Sequence, residues 1–178
     1  MTTDVKQSLP PVGAADARLL ILGSLPGDAS LAAQAYYAHP TNQFWHLLGS
    51  AIDDELAALD YPGRLERLAS RGIALWDVVG GATRSGSLDA AIRGVRPNNL
   101  ADFVATHPRL AAIGFNGRTA AVIGRRALAG VGVGIGDIAL IDLPSSSAAL
   151  TRRFDDKLRE WSVLGGFAGL SNSATVTR

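Results

Sequence analysis

Apolar residues occur along this chain in two rhythms. Short unbroken runs, RLLILG (18–23), GIALWDVV (72–79), RLAAIGF (109–115) and DIALIDL (137–143), have the length of buried strands. Between them the apolar positions spread to helical spacing. Phe44, Trp45, Leu48, Ile52, Leu56 and Leu59 predict a helix over 42–59. NNLADFVATH (98–107) predicts a second helix opened by an asparagine cap, RTAAVIGRRAL (118–128) a third, and LTRRFDDKLREWSVL (150–164) a closing amphipathic one. Strands alternating with helices imply right-handed crossovers and a sheet buried on both faces. The expected fold class is α/β: a three-layer α/β/α sandwich around a central, mainly parallel four-stranded sheet.

In such sheets ligands gather beyond the carboxyl ends of the strands. Here those ends carry GSLPG after the first strand, Asp77 near the end of the second, FNG after the third and LPSSS after the fourth. Four turns rich in glycine, amides and hydroxyls should therefore converge on one rim.

Composition narrows the chemistry. The length of 178 residues suits one domain, with an ordered core over about 10–164, a polar lead-in and a loose tail from Gly165. With no cysteine, disulfides, thiolate nucleophiles, iron–sulfur clusters and cysteine zinc sites, including that of the zinc deaminases, are excluded. The same absence fits a reducing compartment, and the expectation is cytoplasmic. No apolar run approaches the roughly 20 residues that cross a bilayer. Net charge is +1, which argues neither for nor against nucleic acid. Arg118, Arg125, Arg126, Arg152 and Arg153 cluster in the second half, where solvated helix faces would account for any one of them. GSLPGDAS lacks the Gly-Lys-Ser/Thr of a phosphate-binding loop. GVGVGIG (130–136) reads as a flexible connection, since no clear strand precedes it and no helix opens there. There is no G-x-S-x-G elbow, and His39, His46 and His107 have no metal spacing, so neither metal nor cofactor is expected.

The segment YYAHPTNQFW (36–45) stands apart. The chain has five Phe, three Trp and three Tyr, and four of these fall within this stretch. Phe44 and Trp45 suit the core. Tyr36 and Tyr37 each bring a hydroxyl that needs a partner if buried. An aromatic face beside the amide of Asn42 suits a planar heterocycle, stacked on one side and hydrogen-bonded at its edge. Asn42 also suits a helix cap. Asn116 could be a turn residue or could read a base edge. Ser145, Ser146 and Ser147 could cap a helix or hold phosphates.

Taken in order, ILGSLPGDASLAAQAYYAHPTNQFW (21–45), LWDVV (75–79), SGSLDAAI (85–92), FNG (115–117) and LPSSSAA (143–149) resemble the uracil-DNA glycosylase superfamily. Within it they resemble the hypoxanthine-DNA (deoxyinosine) glycosylase branch. The resemblance implies a monomeric, cofactor-free enzyme that excises a deaminated base from double- or single-stranded DNA. It implies catalytic roles for Asn42 and Asn116 and a base pocket of Ser24, Leu25, Tyr37, Phe44 and Asn116. It assigns DNA contacts to Gly23, Pro26, Gly27, Ser145, Ser146, Ser147 and Arg152. Leu25 stands where the mismatch-specific uracil and thymine branch has a water-positioning asparagine, and the deoxyinosine branch shares that loss. Leu143 stands where other branches have His or Asn, and Ala148 where this branch usually has proline. Lys6 and Lys157 are the only lysines and neither falls in a motif, so hydrolysis without a covalent lysine intermediate is expected. Uracil or xanthine as the excised base, a silent DNA binder and a nucleoside hydrolase are the competing readings.

Overall fold

A computed structural model describes residues 5–130 and 135–169. Its spine is a five-stranded sheet built from β2 (Val12–Gly13), β3 (Leu19–Gly23), β4 (Ile73–Asp77), β7 (Ala112–Asn116) and β8 (Ala139–Leu143), in the spatial order β2-β4-β3-β7-β8. The four long strands run parallel, as expected, and β2 adds an antiparallel edge. The four-strand expectation was one short, because β2 is two residues long and follows Pro10 and Pro11, which offer no apolar run to detect.

Both faces of the sheet are covered. Along β3, Leu20 and Leu22 join one apolar cluster while Leu19 and Ile21 join the other, and all four are fully buried. Burial of such a side chain contributes about 1.5–3 kcal/mol. Helices α4 (Leu100–Thr106) and α5 (Arg118–Leu128) supply Phe103, Val104 and Ala120 to the first cluster. On the opposite face, α2 (Phe44–Ala51), α3 (Tyr61–Ser70) and α6 (Phe154–Trp161) supply Phe44, Leu48, Leu68 and Trp161. The α/β/α sandwich follows directly.

Several segments depart from the sequence expectation. The run 72–79 is not one strand: at Val78 the chain leaves the main sheet and enters β5 (Val79–Thr83), whose partners are β1 (Val5–Gln7) and β6 (Arg93–Pro97) in a second, antiparallel sheet. An apolar run cannot report which sheet its hydrogen bonds join. The polar lead-in is thus partly a strand, and its Lys6 is buried. The helix expected over 42–59 is α2 alone, followed by Asp53 with φ 53° and a short 3-10 turn at Leu56–Ala58. Short α1 (Asp28–Ala33) and α3 had no counterpart in the apolar pattern. The closing helix ends at Trp161 and passes into a 3-10 turn, Ser162–Gly166. The first tail residues are held: the Gly169 amide donates to Arg71 O (2.9 Å), and Arg71 Nη1 returns a bond to Gly169 O. Residues 170–178, and 131–134 of the glycine-rich run, lie outside the described residues. The Asn99 cap on α4 forms as expected, its side chain accepting from Asp102 N at 3.1 Å.

Candidate active site at the strand ends

The carboxyl ends of β3, β4, β7 and β8 do converge, around a cavity of about 520 Å³. Its floor is the end of β3 and β4. Gly23 is required there: a Cβ at this position would stand 2.6 Å from Asp77 Oδ1 and 3.0 Å from Tyr37 Oη. Two polar atoms therefore crowd over the bare backbone of one glycine.

Tyr37 reaches the floor from a left-handed backbone conformation, φ 53°, which costs a non-glycine residue and orients the ring inward. Its ring stacks on Phe44, centroids 3.6 Å apart and planes 7° from parallel. Its hydroxyl is buried without a well-formed hydrogen bond among the described residues; burial, with the Asp77 charge adding and the neighbouring Asn116 amide opposing, raises its pKa, so it stays a neutral donor. An orphaned donor beside an open cavity is a group held ready for a ligand. Phe44 is a correction to the expected base pocket. It is fully buried behind Tyr37 and does not line the cavity, because it opens α2 on the core-facing side. It stiffens the tyrosine wall instead. Tyr36 is core, donating to Leu9 O (3.0 Å) and Pro10 O (3.2 Å).

Asp77 was visible at a strand end but received no role from the sequence. It is 3% exposed, lines the cavity, and among the described residues takes a hydrogen bond from Ser8 Oγ to Oδ2 at 3.3 Å. Burial lifts its pKa to about 7, opposed by the bond from Ser8, with the Asp89 charge adding to the rise and Tyr36 and Arg84 opposing it. Near neutral pH it is therefore partly a carboxylic acid, able to donate as well as accept.

The two asparagines differ. Asn42 is half-buried on the cavity wall, and its Oδ1 accepts from Phe44 N at 3.0 Å, so it does act as a local cap at the start of α2. That bond uses one lone pair. The rest of the carboxamide stays on the cavity side, with no described partner for Nδ2. Asn116 is buried and clamped to one residue: Nδ2 donates to Ser146 Oγ (2.9 Å), and Oδ1 accepts from Ser146 N (2.8 Å). One N–H and one lone pair remain toward the cavity, close to the Tyr37 hydroxyl. Gly117 follows at φ 96°, where a Cβ would press on Ser145 Cβ at 3.1 Å, so the FNG turn and the serine loop are packed backbone to backbone.

Ser145, Ser146 and Ser147 all line the cavity, though Ser146 is itself buried under Asn116. Lys157, fully buried, supports the loop from below, donating to Ser147 O (3.2 Å) and Gln43 Oε1 (2.9 Å). Neither Lys157 nor Lys6 lines the cavity. Gly23, Ser24, Leu25, Pro26 and Gly27 form the near wall, with Ser24 Oγ donating to Asp89 Oδ1 at 2.6 Å. Leu25 is buried and presents no polar atom. Arg152 lies outside the cavity lining, half-exposed, and its guanidinium pairs with Glu160 (2.6 Å) on α6. Exposed Arg118, at the start of α5, lines it instead. Among the described residues no cluster of His, Asp or Glu could hold a metal, and no helix is long and apolar enough to cross a membrane.

A family model of the uracil DNA glycosylase superfamily matches residues 10–164, a span that contains every residue of this cavity. The chain belongs to the uracil DNA glycosylase superfamily. Two relatives are named hypoxanthine DNA glycosylase. The one from Methanosarcina barkeri is 42% identical over 113 residues, covering 64% of this chain and 72% of the relative. The one from Methanosarcina acetivorans is 37% identical over 157 residues, covering 88% and 96%. A solution NMR structure of a candidate uracil DNA glycosylase from M. acetivorans superposes with TM-score 0.79 at 36% identity, covering 91% of this chain and 97% of that one.

Asp77, Asp89 and Arg118 are among the polar residues of this cavity to which the sequence assigned no role. The signal for Asp77 was present, as the lone acid ending an apolar run that was too buried to be solvated.

Proposed function

We propose that this member of the uracil DNA glycosylase superfamily hydrolyses the N-glycosidic bond of a deaminated base in DNA, with hypoxanthine the preferred base. The observation that carries the reading is Asn42: a carboxamide lining a 520 Å³ cavity that also holds a buried tyrosine hydroxyl without a hydrogen-bond partner and a buried acid, Asp77. The names of the two Methanosarcina relatives support hypoxanthine as the base.

A base stacked in a duplex cannot reach this floor, so the nucleotide must swing out, at a cost of a few kcal/mol. The Tyr37–Phe44 stack offers a rigid face to a planar base, and a doubly backed ring loses little freedom on binding. Tyr37 Oη and Asp77 Oδ1 converge where the base edge would lie. As the C1′–N9 bond breaks, the electron pair leaves with the base, and neutral donors aimed at that edge stabilise the developing negative charge. Asn42 accepts from a water at C1′ and orients it; that water's oxygen forms the new bond to C1′, and the proton it sheds ends on the departing base, whose anion has taken the C1′–N9 electron pair. With neither lysine at the cavity, the product is an abasic site and free base rather than a covalent adduct.

The test is a panel of oligonucleotides, each carrying one deoxyinosine, deoxyuridine or deoxyxanthosine, assayed under single-turnover conditions. Deoxyinosine should be cleaved fastest. Asn42→Ala should lose at least about 100-fold in rate, the scale of a lost water-orienting or charge-stabilising group, while its thermal unfolding stays close to wild type. A wild-type rate in Asn42→Ala, or binding without an alkali-labile product in the parent, would sink the assignment.

A further inference from the structure

The mouth of the cavity lies between two arms. One is the serine loop as far as Leu150; the other, residues 84–92, brings Ser87, Leu88 and Asp89 to the lining. The second arm is the tip of the β5–β6 hairpin, and it is firmly tied. Buried Arg84 donates to Leu25 O (3.0 Å), to Pro26 O and to Gly86 O (2.9 Å), and buried Lys6 donates to Gly86 O (2.8 Å) while pairing with Asp28. The hairpin is therefore a fixed platform beside the mouth. Lys6 stands opposite Ala82 in the second sheet, and both are buried, so that face looks inward. The outer face carries Val5 and Gln7 on β1 and Gly81 and Thr83 on β5. An irregularity in β6 adds two arginines to it. On a regular strand Arg93 and Arg96 would point to opposite faces. Here Arg96 stands opposite Gly81 and Arg93 opposite Thr83, so that β6 uses one residue more than β5 between the two pairs. Gly94, at φ 60°, takes up the extra residue as a bulge. Paired residues share a face, so both arginines lie outside. A Cβ on Gly81 would stand 2.7 Å from Arg96 Nη2 and 3.3 Å from its Cζ, which places that guanidinium over bare backbone. Arg93 Nη1 donates to Ala90 O (2.7 Å) and Ile92 O (2.8 Å), which turns its guanidinium toward the arm.

Resting on the excision reading above, we propose that the outer face of the β1-β5-β6 sheet is a second DNA contact, where Arg93 and Arg96 grip backbone phosphates of the duplex that flanks the extruded nucleotide. All five residues of β6 are exposed, and neither arginine pairs with a carboxylate among the described residues. By contrast, the exposed Arg109, Arg125, Arg152 and Arg159 each have an acidic partner. None of the residues on this face is acidic, and the acids tied to the arm, Asp28 and Asp89, are committed to Lys6 and Ser24. The face is thus a patch of uncompensated positive charge on a rigid support. A duplex with one nucleotide in the cavity must run past the mouth, so its phosphates are the polyanion carried to this face. Guanidinium forks in a row along one strand suit phosphate oxygens, which take two parallel N–H bonds from each fork. Such contacts set register and affinity and carry no base information.

The experiment compares the parent with the double variant Arg93→Gln/Arg96→Gln, with Arg93→Lys/Arg96→Lys, and with Arg109→Gln, which removes an exposed arginine at the opposite end of the main sheet. Fluorescence anisotropy measures the affinity of each for a deoxyinosine duplex and for the same duplex undamaged, over a range of salt concentrations. The slope of log affinity against log salt should be shallower by about 2 in the glutamine variant, one phosphate contact for each arginine. The loss of affinity should be the same for damaged and undamaged duplex. The lysine variant should keep the parent slope, and Arg109→Gln should match the parent throughout. At saturating DNA the single-turnover excision rate of the glutamine variant should stay within about twofold of the parent, because the contact serves binding and not the reacting bond. Trimming the duplex close to the lesion on one side should abolish the difference between parent and glutamine variant, and trimming the other side should preserve it. The proposal is overturned if the slope is unchanged, if Arg109→Gln shifts it equally, if the saturating rate falls in step with affinity, or if neither trimming removes the difference. A parent that binds DNA with this slope but releases no base would count instead against the excision reading, so the two failures are distinguishable.

Discussion

The two arms of the cavity are held in different ways. The serine arm is gripped at its centre by a neutral carboxamide, Asn116, which closes a two-bond ring on Ser146 through its backbone amide and its hydroxyl, and is propped at Ser147 O by one buried cation, Lys157. The arm at 84–89 is held by full charges taken out of water, Arg84 at 2% and Lys6 at 6% exposure. Neutral clamps are modest in energy and nearly indifferent to pH. Buried cations are costly to desolvate, and the cost is offset only when carbonyls and carboxylates surround them, as Leu25, Pro26 and Gly86 surround Arg84. The contrast is one of degree: the serine arm rests on an amide clamp and one buried cation, the arm at 84–89 on two buried cations with several carbonyl partners.

The largest expected effect comes from breaking the charged arm. Arg84→Ala leaves several buried carbonyls without donors, and at about 1–3 kcal/mol for each unsatisfied group the loss of stability should reach about 3 kcal/mol or more in chemical denaturation. Excision should fall with it, since Pro26, Gly86 and Leu88 all lose their support. An unchanged unfolding midpoint would show that the arm is held by its turn alone.

The serine arm should fail more gently. Asn116→Ala removes both bonds to Ser146 and should cost about 1–3 kcal/mol, with a loss of duplex affinity larger than the loss of stability would explain. If affinity is untouched while excision collapses, Asn116 acts on the base and not through the serine loop.

A third test addresses the floor between the arms. Asp77 has a folded pKa of about 7 against an ordinary value of 3.8, so over that interval the folded chain binds more protons than the unfolded one. Stability should therefore fall as pH rises from about 4 to 7 and level off above. Asp77→Asn carries no titrating proton. Its stability relative to wild type should rise between pH 5 and pH 8, measured by urea denaturation at each pH. A difference that does not change with pH would place the proton elsewhere.

How much of this was legible beforehand differs from residue to residue. The four parallel strands could be read because each is an unbroken apolar run, and their convergence follows from the α/β arrangement itself. Asn42 and Tyr37 could be picked out because an aromatic-rich stretch with an amide is odd for a core. Phe44 and Tyr37, seven positions apart, look equivalent in sequence, but helix phase turns the first into the core and a left-handed backbone turns the second into the cavity. That Arg152 pairs with Glu160 had no sequence signal, because the two are eight positions apart and meet only through the geometry of α6 and the loop before it. Arg84 and Lys6 carried no signal, because a cation in a polar segment reads as solvated until carbonyls distant in sequence enclose it.

From the order of residues alone came the layer architecture, the rim where chemistry occurs and two of the side chains facing it, because periodicity and strand-end composition are local properties. Tertiary structure decided which aromatic faces the cavity, that Asp77 is buried with its pKa raised, that Asn116 grips a loop, and that Arg84 and Lys6 brace the segment at 84–89. Each of those depends on which groups from remote segments share a few ångströms of low-dielectric space, and no local pattern encodes that proximity.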